Sequence, residues 1–245
     1  MLEVRGLTKQ FGALRASDGI DFDVAEGETH AVIGPNGAGK TTFIGQLAGN
    51  LRPDSGTVRF GGADITTLSA PRRARLGLAR SFQITSVYPD FSALHNVALA
   101  IQAHAGHSFR FWRDARTDSA LVEPARKVLN DLGLGERSHV LAGNLAHGEQ
   151  RQLEVAIALA TAPRLLLLDE PMAGMGIEES QRMIELLSSL KRRHTIILVE
   201  HDMDAVFRLA DRISVLVYGR VIATDTPEKV RANEEVRRAY LGTEA

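Results

Sequence analysis

The chain has 245 residues, 44% of them hydrophobic and 24% charged, which suits one large soluble domain or a domain carrying a subdomain. Its 29 basic residues nearly cancel 30 acidic ones, for a formal net charge of −1, so the basic surplus that broad nucleic-acid contact usually needs is absent. There is no cysteine, which excludes disulfides, thiolate metal sites and thiol nucleophiles and fits a reducing compartment.

Residues 1–11 carry charges from the third position on and hold no apolar stretch of signal-peptide length. The longest purely aliphatic run, residues 165–168, is far short of the roughly 20 residues that span a bilayer. A cytosolic protein is therefore expected, one that reaches a membrane only through a partner. Along the chain, short β runs are predicted at 2–4, 20–24 and 29–33, separated by Gly and Asp turns. Residues 57–60 followed by Gly61-Gly62 predict another strand and a tight turn. Residues 40–48 read as a helix, so a strand, a glycine loop and a helix follow one another. From about 85 to 160 the pattern turns helical, with stretches at 93–103, 123–132 and 149–161 and no clear strand. Strand signals return at 165–168 and 195–199, nearly all apolar, as expected for strands buried on both faces of a parallel sheet. Helices are predicted at 178–192 and 204–209, then a hairpin over 213–218 and 221–223 turning at Gly219. Thr226-Pro227 supplies an N-cap and a first-turn proline for a final helix. The expectation is an α/β fold in which residues 1–84 and 163–245 build a nucleotide-binding core and 85–162 an inserted helical subdomain.

The strongest chemical signal is Gly34-Pro35-Asn36-Gly37-Ala38-Gly39-Lys40-Thr41, followed by Thr42. Its glycines let consecutive backbone N–H groups turn toward an anion, and the helix that follows adds the positive end of its dipole. Lys40 is spaced to reach the β- and γ-phosphates of a nucleoside triphosphate, and the Thr41 hydroxyl to bind Mg²⁺. The plainer reading is a glycine-rich turn, but the strand–loop–helix context favours the phosphate loop. The second signal is residues 165–168 ending in Asp169-Glu170-Pro171. A buried strand ending in two carboxylates places them at the carboxyl edge of the sheet, where α/β proteins bind ligands. Asp169 is expected to hold the Mg²⁺ shell and Glu170 to polarise the attacking water.

Together these pieces resemble the ATP-binding subunit of ABC transporters over essentially the whole chain. That resemblance implies a P-loop cassette: a RecA-like core, an antiparallel β subdomain and an inserted helical subdomain. It implies that Gln83 touches Mg²⁺ and relays to the membrane subunits, that His201 sits near the γ-phosphate, and that Phe11 stacks on adenine. Leu145-Ala146-His147-Gly148-Glu149 lie where the family's signature contacts a neighbouring subunit's nucleotide. Here the chain departs from the general pattern: Ala146 and His147 stand where Ser and Gly are usual, so one hydroxyl contact is missing. Gly148 and the following helix N-terminus leave backbone donors for the anion. Gly176 replaces a common aspartate in the loop after Pro171.

The segments 145–154, 170–174 and 236–242 resemble ATPases of branched-chain amino acid importers, and residues 102–116 an insertion seen in that group. The implied partners are ATP, membrane-spanning permease subunits at the cytoplasmic face, a second cassette and, indirectly, a substrate-binding protein, with no nucleic acid expected. Urea or short amides are the alternative cargo. A soluble cassette acting on nucleic acid is the rival class, and a non-hydrolysing regulatory cassette a third, opposed by Glu170 and His201. Phe109-Arg110-Phe111-Trp112-Arg113 has the interleaving of a base-stacking or membrane-surface segment, but reads first as a loop packing on its own domain. His104 and His107, one helical turn apart, lack the further ligands a metal needs.

Overall fold

A computed structural model describes residues 1–81, 87–105 and 118–241. Two sheets organise it. The smaller is antiparallel, with strands β1 (Leu2–Phe11), β2 (Leu14–Val24), β4 (Ser55–Phe60) and β5 (Ala63–Asp64) in the order β2-β1-β4-β5. The larger contains β3 (Thr29–Ile33), β6 (Leu78–Arg80), β7 (Leu165–Asp169), β8 (Thr195–Val199), β9 (Arg212–Val217) and β10 (Arg220–Asp225). Its order is β10-β9-β3-β8-β7-β6, parallel except for the β9–β10 hairpin.

Alternation along β7 and β8 explains their all-apolar sequences. Leu165, Leu167, Ile197 and Val199 pack into a core shared with helix α1 (Lys40–Ala48) and the antiparallel sheet. Leu166, Leu168, Ile196 and Leu198 face the other way. They join a core with α3 (Ala93–Ala105), α4 (Ser119–Asp131), α5 (His147–Leu159) and α6 (Ile177–Leu190). Both faces of the strands are dry, as the sequence predicts for a parallel sheet.

The other elements are α2 (Ala70–Arg75), α7 (Met203–Leu209), α8 (Pro227–Ala232) and α9 (Glu234–Leu241). The proline at 227 does open a helix, but that helix is not the last: α9 follows, and the Thr226 side chain makes no capping hydrogen bond. The helix predicted to start at 123 begins at Ser119, because Asp118 Oδ1 accepts the Ala120 N–H and Pro124 lies inside the helix. The first strand runs to Phe11, past Gly6, which forms a bulge at φ 57° with its N–H given to Asp21 Oδ1 at 2.8 Å. No sequence signal was read for α2, β5 or β6.

Candidate nucleotide site

Strand β3 ends at Ile33 and the chain turns through residues 34–39 into α1. Gly39 sits at the helix N-cap with φ 104°, and a Cβ there would collide with the Ala16 carbonyl oxygen of the β1–β2 hairpin. A Cβ on Gly34 would likewise strike the carbonyl oxygen of Leu216 on β9. These two positions take glycine because other backbone occupies the space of a side chain. The first turn of α1 holds no acidic residue, so nothing on the helix itself cancels its N-terminal dipole. Asn36, Gly37 and Thr41 are exposed along the loop, and Thr42 is half-buried.

Lys40 is 7% exposed and folds back over the loop, donating to the carbonyl oxygens of Gly34 at 2.6 Å and Pro35 at 3.2 Å. Burial pushes its ammonium below the usual lysine range, against the upward pull of Glu170 and Asp169. Those carboxylates stand at the end of β7, two strands from β3, with β8 between. Asp169 is 1% exposed; burial raises it above the usual carboxylate range, against the hydrogen bond from Arg80. Arg80 Nη2 donates to its Oδ2 at 2.9 Å. Glu170 adopts φ 50°, a left-handed conformation rare for a side chain of its size, while its N–H bonds the Val199 oxygen at 2.9 Å.

His201 follows the end of β8, its side chain 63% exposed. The residue before it, Glu200, is completely buried and organises this corner, a role the sequence reading did not assign. Its carboxylate accepts the Met172 N–H at 3.0 Å and the His201 N–H at 3.1 Å, tying the loop after Glu170 to the histidine loop. Desolvation pushes Glu200 above the usual range, with those N–H groups pulling it back in part. A lone charge closing an apolar strand was the available signal. Phe11 lies at the tip of the antiparallel hairpin, 48% exposed, with Lys9 Nζ 5.6 Å from its ring centroid. Gln83 lies outside the described residues, as do His107 and the aromatic cluster 109–113.

The segment Leu145–Glu149 lies at the start of α5. No hydrogen bond or ion pair among the described residues joins it to the loop 34–42. Glu149 accepts the Ala146 N–H at 3.0 Å and Arg137 Nε at 2.9 Å, while Ala146 has no hydroxyl to complete the reciprocal cap. A Cβ added to Gly148 would lie 2.8 Å from Glu179 Oε1, and one on Gly174 would lie 3.2 Å from the His147 ring. His147 therefore lies beside Gly174, two residues before Gly176 in the loop after Pro171.

The profile described as ABC transporter matches residues 17–173, and one described as branched-chain amino acid ATP-binding cassette transporter matches residues 220–245. The chain belongs to the ABC transporter family. It is 39% identical over 249 residues to BraF, a high-affinity branched-chain amino acid transport ATP-binding protein of Pseudomonas aeruginosa, covering 99% of this chain and 98% of that one. LivG of Escherichia coli, a protein of the same description, is 37% identical over 254 residues, with 99% and 98% covered. A crystal structure of the ADP conformation of MJ1267, an ATP-binding cassette of an ABC transporter, superposes with a TM-score of 0.87 at 28% identity, covering 99% and 98%. The chain is thus an ATPase cassette, and its α/β P-loop fold is that of the family. No helix among the described residues is long and apolar enough to cross a membrane.

Proposed function

We propose that this cassette is the ATP-hydrolysing subunit of a branched-chain amino acid importer, held at the cytoplasmic face by permease subunits and paired with a second cassette. The convergence of Lys40, Asp169 and Glu170 at the carboxyl edge of the parallel sheet, beside a helix N-terminus free of acidic residues, carries the reading. The cargo class is supported by the match over residues 220–245 and by the likeness to BraF and LivG.

Phosphoryl transfer asks mainly for positioning and charge stabilisation. The N–H groups of residues 37–42 and the α1 dipole hold the phosphates. Lys40 leaves the Gly34 and Pro35 oxygens for the β- and γ-phosphates. Glu170 orients the attacking water, His201 meets the γ-phosphate, and Gln83 reports the nucleotide's state to the permease. Phe11 stacks on the adenine, contributing about 1–3 kcal/mol. Thr41 and Asp169 offer the hydroxyl and carboxylate oxygens that suit Mg²⁺. With only these two protein oxygens, the ion would be shared with the nucleotide's phosphates and with water. Bound there, Mg²⁺ would neutralise charge developing on the phosphates.

Residues Leu145–Glu149 serve the partner cassette's nucleotide. With Ala146 lacking a hydroxyl and the Glu149 and Glu179 carboxylates at the same helix start, that contribution is weak. Residues 85–162 act as the helical subdomain between the two parts of the core. A groove of about 470 Å³ lined by Asp90, Phe91, His95, Leu99, His139 and Leu141 follows the Gln83 segment and receives the permease.

Glu170→Gln is expected to abolish turnover by about 10²–10⁴-fold while nucleotide still binds. Lys40→Ala is expected to weaken ATP binding itself. Unchanged turnover in the first, or unchanged affinity in the second, would remove the assigned role. In the purified complex, leucine and not urea is expected to stimulate hydrolysis through the binding protein; the reverse result overturns the cargo assignment.

A further inference from the structure

Asp169 is a carboxylate buried at 1% exposure, and such a charge is expensive to hold without a partner. Lys40 is not that partner, since its ammonium bonds the Gly34 and Pro35 oxygens. The ion-pair partner is Arg80, the last residue of β6, whose side chain is itself largely buried. Its Nη2 takes Asp169 Oδ2 at 2.9 Å, and Oδ1 is engaged by no described residue. The other arm of the same planar fork, Nη1, donates at 3.2 Å to Asn50 Oδ1, just beyond the end of α1. Asn50 in turn gives its N–H to the Gly45 oxygen of that helix at 3.0 Å. Strand β6 runs parallel to β7 with Arg80 opposite Leu167, and the chain then continues into the segment that holds Gln83.

We propose that Arg80 is a positioning residue for the metal of the nucleotide site, holding one oxygen of Asp169 so that the other is presented to the Mg²⁺ shell. The inference rests on the reading of Asp169 given above. One guanidinium joins the metal carboxylate on β7 to the far end of the phosphate-loop helix, and it does so at the entrance to the glutamine segment. Arginine suits this because its fork binds two acceptors in fixed directions, whereas a lysine ammonium is a single point on a flexible stem. Residues that orient metal ligands in this way typically alter metal affinity by 10–100-fold when removed.

The test separates metal binding from nucleotide binding. ADP affinity is measured by calorimetry in EDTA, and Mn²⁺ affinity of the ADP complex by electron paramagnetic resonance, for the parent, Arg80→Gln, Arg80→Lys and Asp169→Asn. Arg80→Gln should keep metal-free ADP affinity within about twofold and weaken Mn²⁺ binding about 10–100-fold. Arg80→Lys, which keeps the charge and serves if the glutamine variant does not fold, should show a smaller loss of Mn²⁺ affinity with ADP affinity unchanged. Asp169→Asn should lose Mn²⁺ affinity as severely as Arg80→Gln. Unchanged or tighter Mn²⁺ binding in both Arg80 variants, with Asp169→Asn impaired, overturns the role of Arg80 alone. An equal fall in metal-free ADP affinity overturns it too, as a general structural effect. Full Mn²⁺ affinity in Asp169→Asn overturns the reading of Asp169 and this inference with it.

Discussion

At the residue scale, the side chains that shape the site are partly ones whose sequence context disguises them. Arg73 lies in Pro71-Arg72-Arg73-Ala74-Arg75, which looks like a solvated basic run, yet it is 1% exposed. Its guanidinium donates to the carbonyl oxygens of Gln46, Leu47, Thr66 and Leu68, closing the C-terminal end of α1, and desolvation brings its pKa down to about 10. Arg73→Leu strands those acceptors, and a loss of roughly 2–4 kcal/mol in urea unfolding is expected. Glu200 makes a second prediction, in pH. Its pKa is raised on folding, so the folded state binds this proton more tightly than the unfolded chain does. Its contribution to stability is therefore fullest below the unfolded carboxylate range and is lost as pH rises through the folded value. The melting-temperature advantage of the parent over Glu200→Gln should grow on acidification from neutral pH, and a difference flat with pH would refute this. The placement of Lys40 at a helix start and of Asp169 and Glu170 at a strand end was legible because their spacing is set by backbone geometry. Arg73, Arg80 and Glu200 were not, because their roles arise from burial between elements distant in sequence.

At the element scale, α5 is the clearest case of a helix whose start is chemically incomplete. The Glu149 carboxylate caps the Ala146 N–H, but alanine returns nothing to the first turn. Ala146→Ser should add the missing acceptor, stabilising the fold by about 0.5–1 kcal/mol in denaturant titrations. Element boundaries were read best where a structural reason coincides with a residue type. Helix α1 spans residues 40–48 as predicted because Gly39 and Gly49 both take left-handed conformations that end it cleanly. Strand β8 likewise matches, since its all-apolar run begins and ends with the sheet. The long antiparallel strands β1 and β2 were seen only as fragments. Their exposed faces are polar apart from Phe11 and Leu14 at the hairpin tip, and Gly6 and Gly19 interrupt the alternation without ending the pairing. Strand β6 is three residues long at the sheet edge, too short for any periodicity to register.

At the scale of the whole molecule, the six-stranded sheet carries packed cores on both faces, and Asp169 and Glu170 sit where strand β7 runs out. Ile177, just after the loop that follows Glu170, is 85% exposed. An apolar side chain left so open is consistent with a surface that a second cassette covers. Glu170→Gln with ATP and Mg²⁺ should elute as a dimer in size-exclusion chromatography while the ADP form stays monomeric; a monomer in both states counts against the paired mechanism. The hairpin turn between β9 and β10 adds something further. Gly219 gives its N–H to the Ala38 oxygen at 2.9 Å and takes the Asp18 N–H at 2.8 Å, so three stretches far apart in sequence meet at the phosphate loop. A loop braced in this way keeps its concave form before any ligand arrives. Nucleotide capture is then an encounter with a ready-made cradle, free of the entropy loss that ordering a floppy one would add.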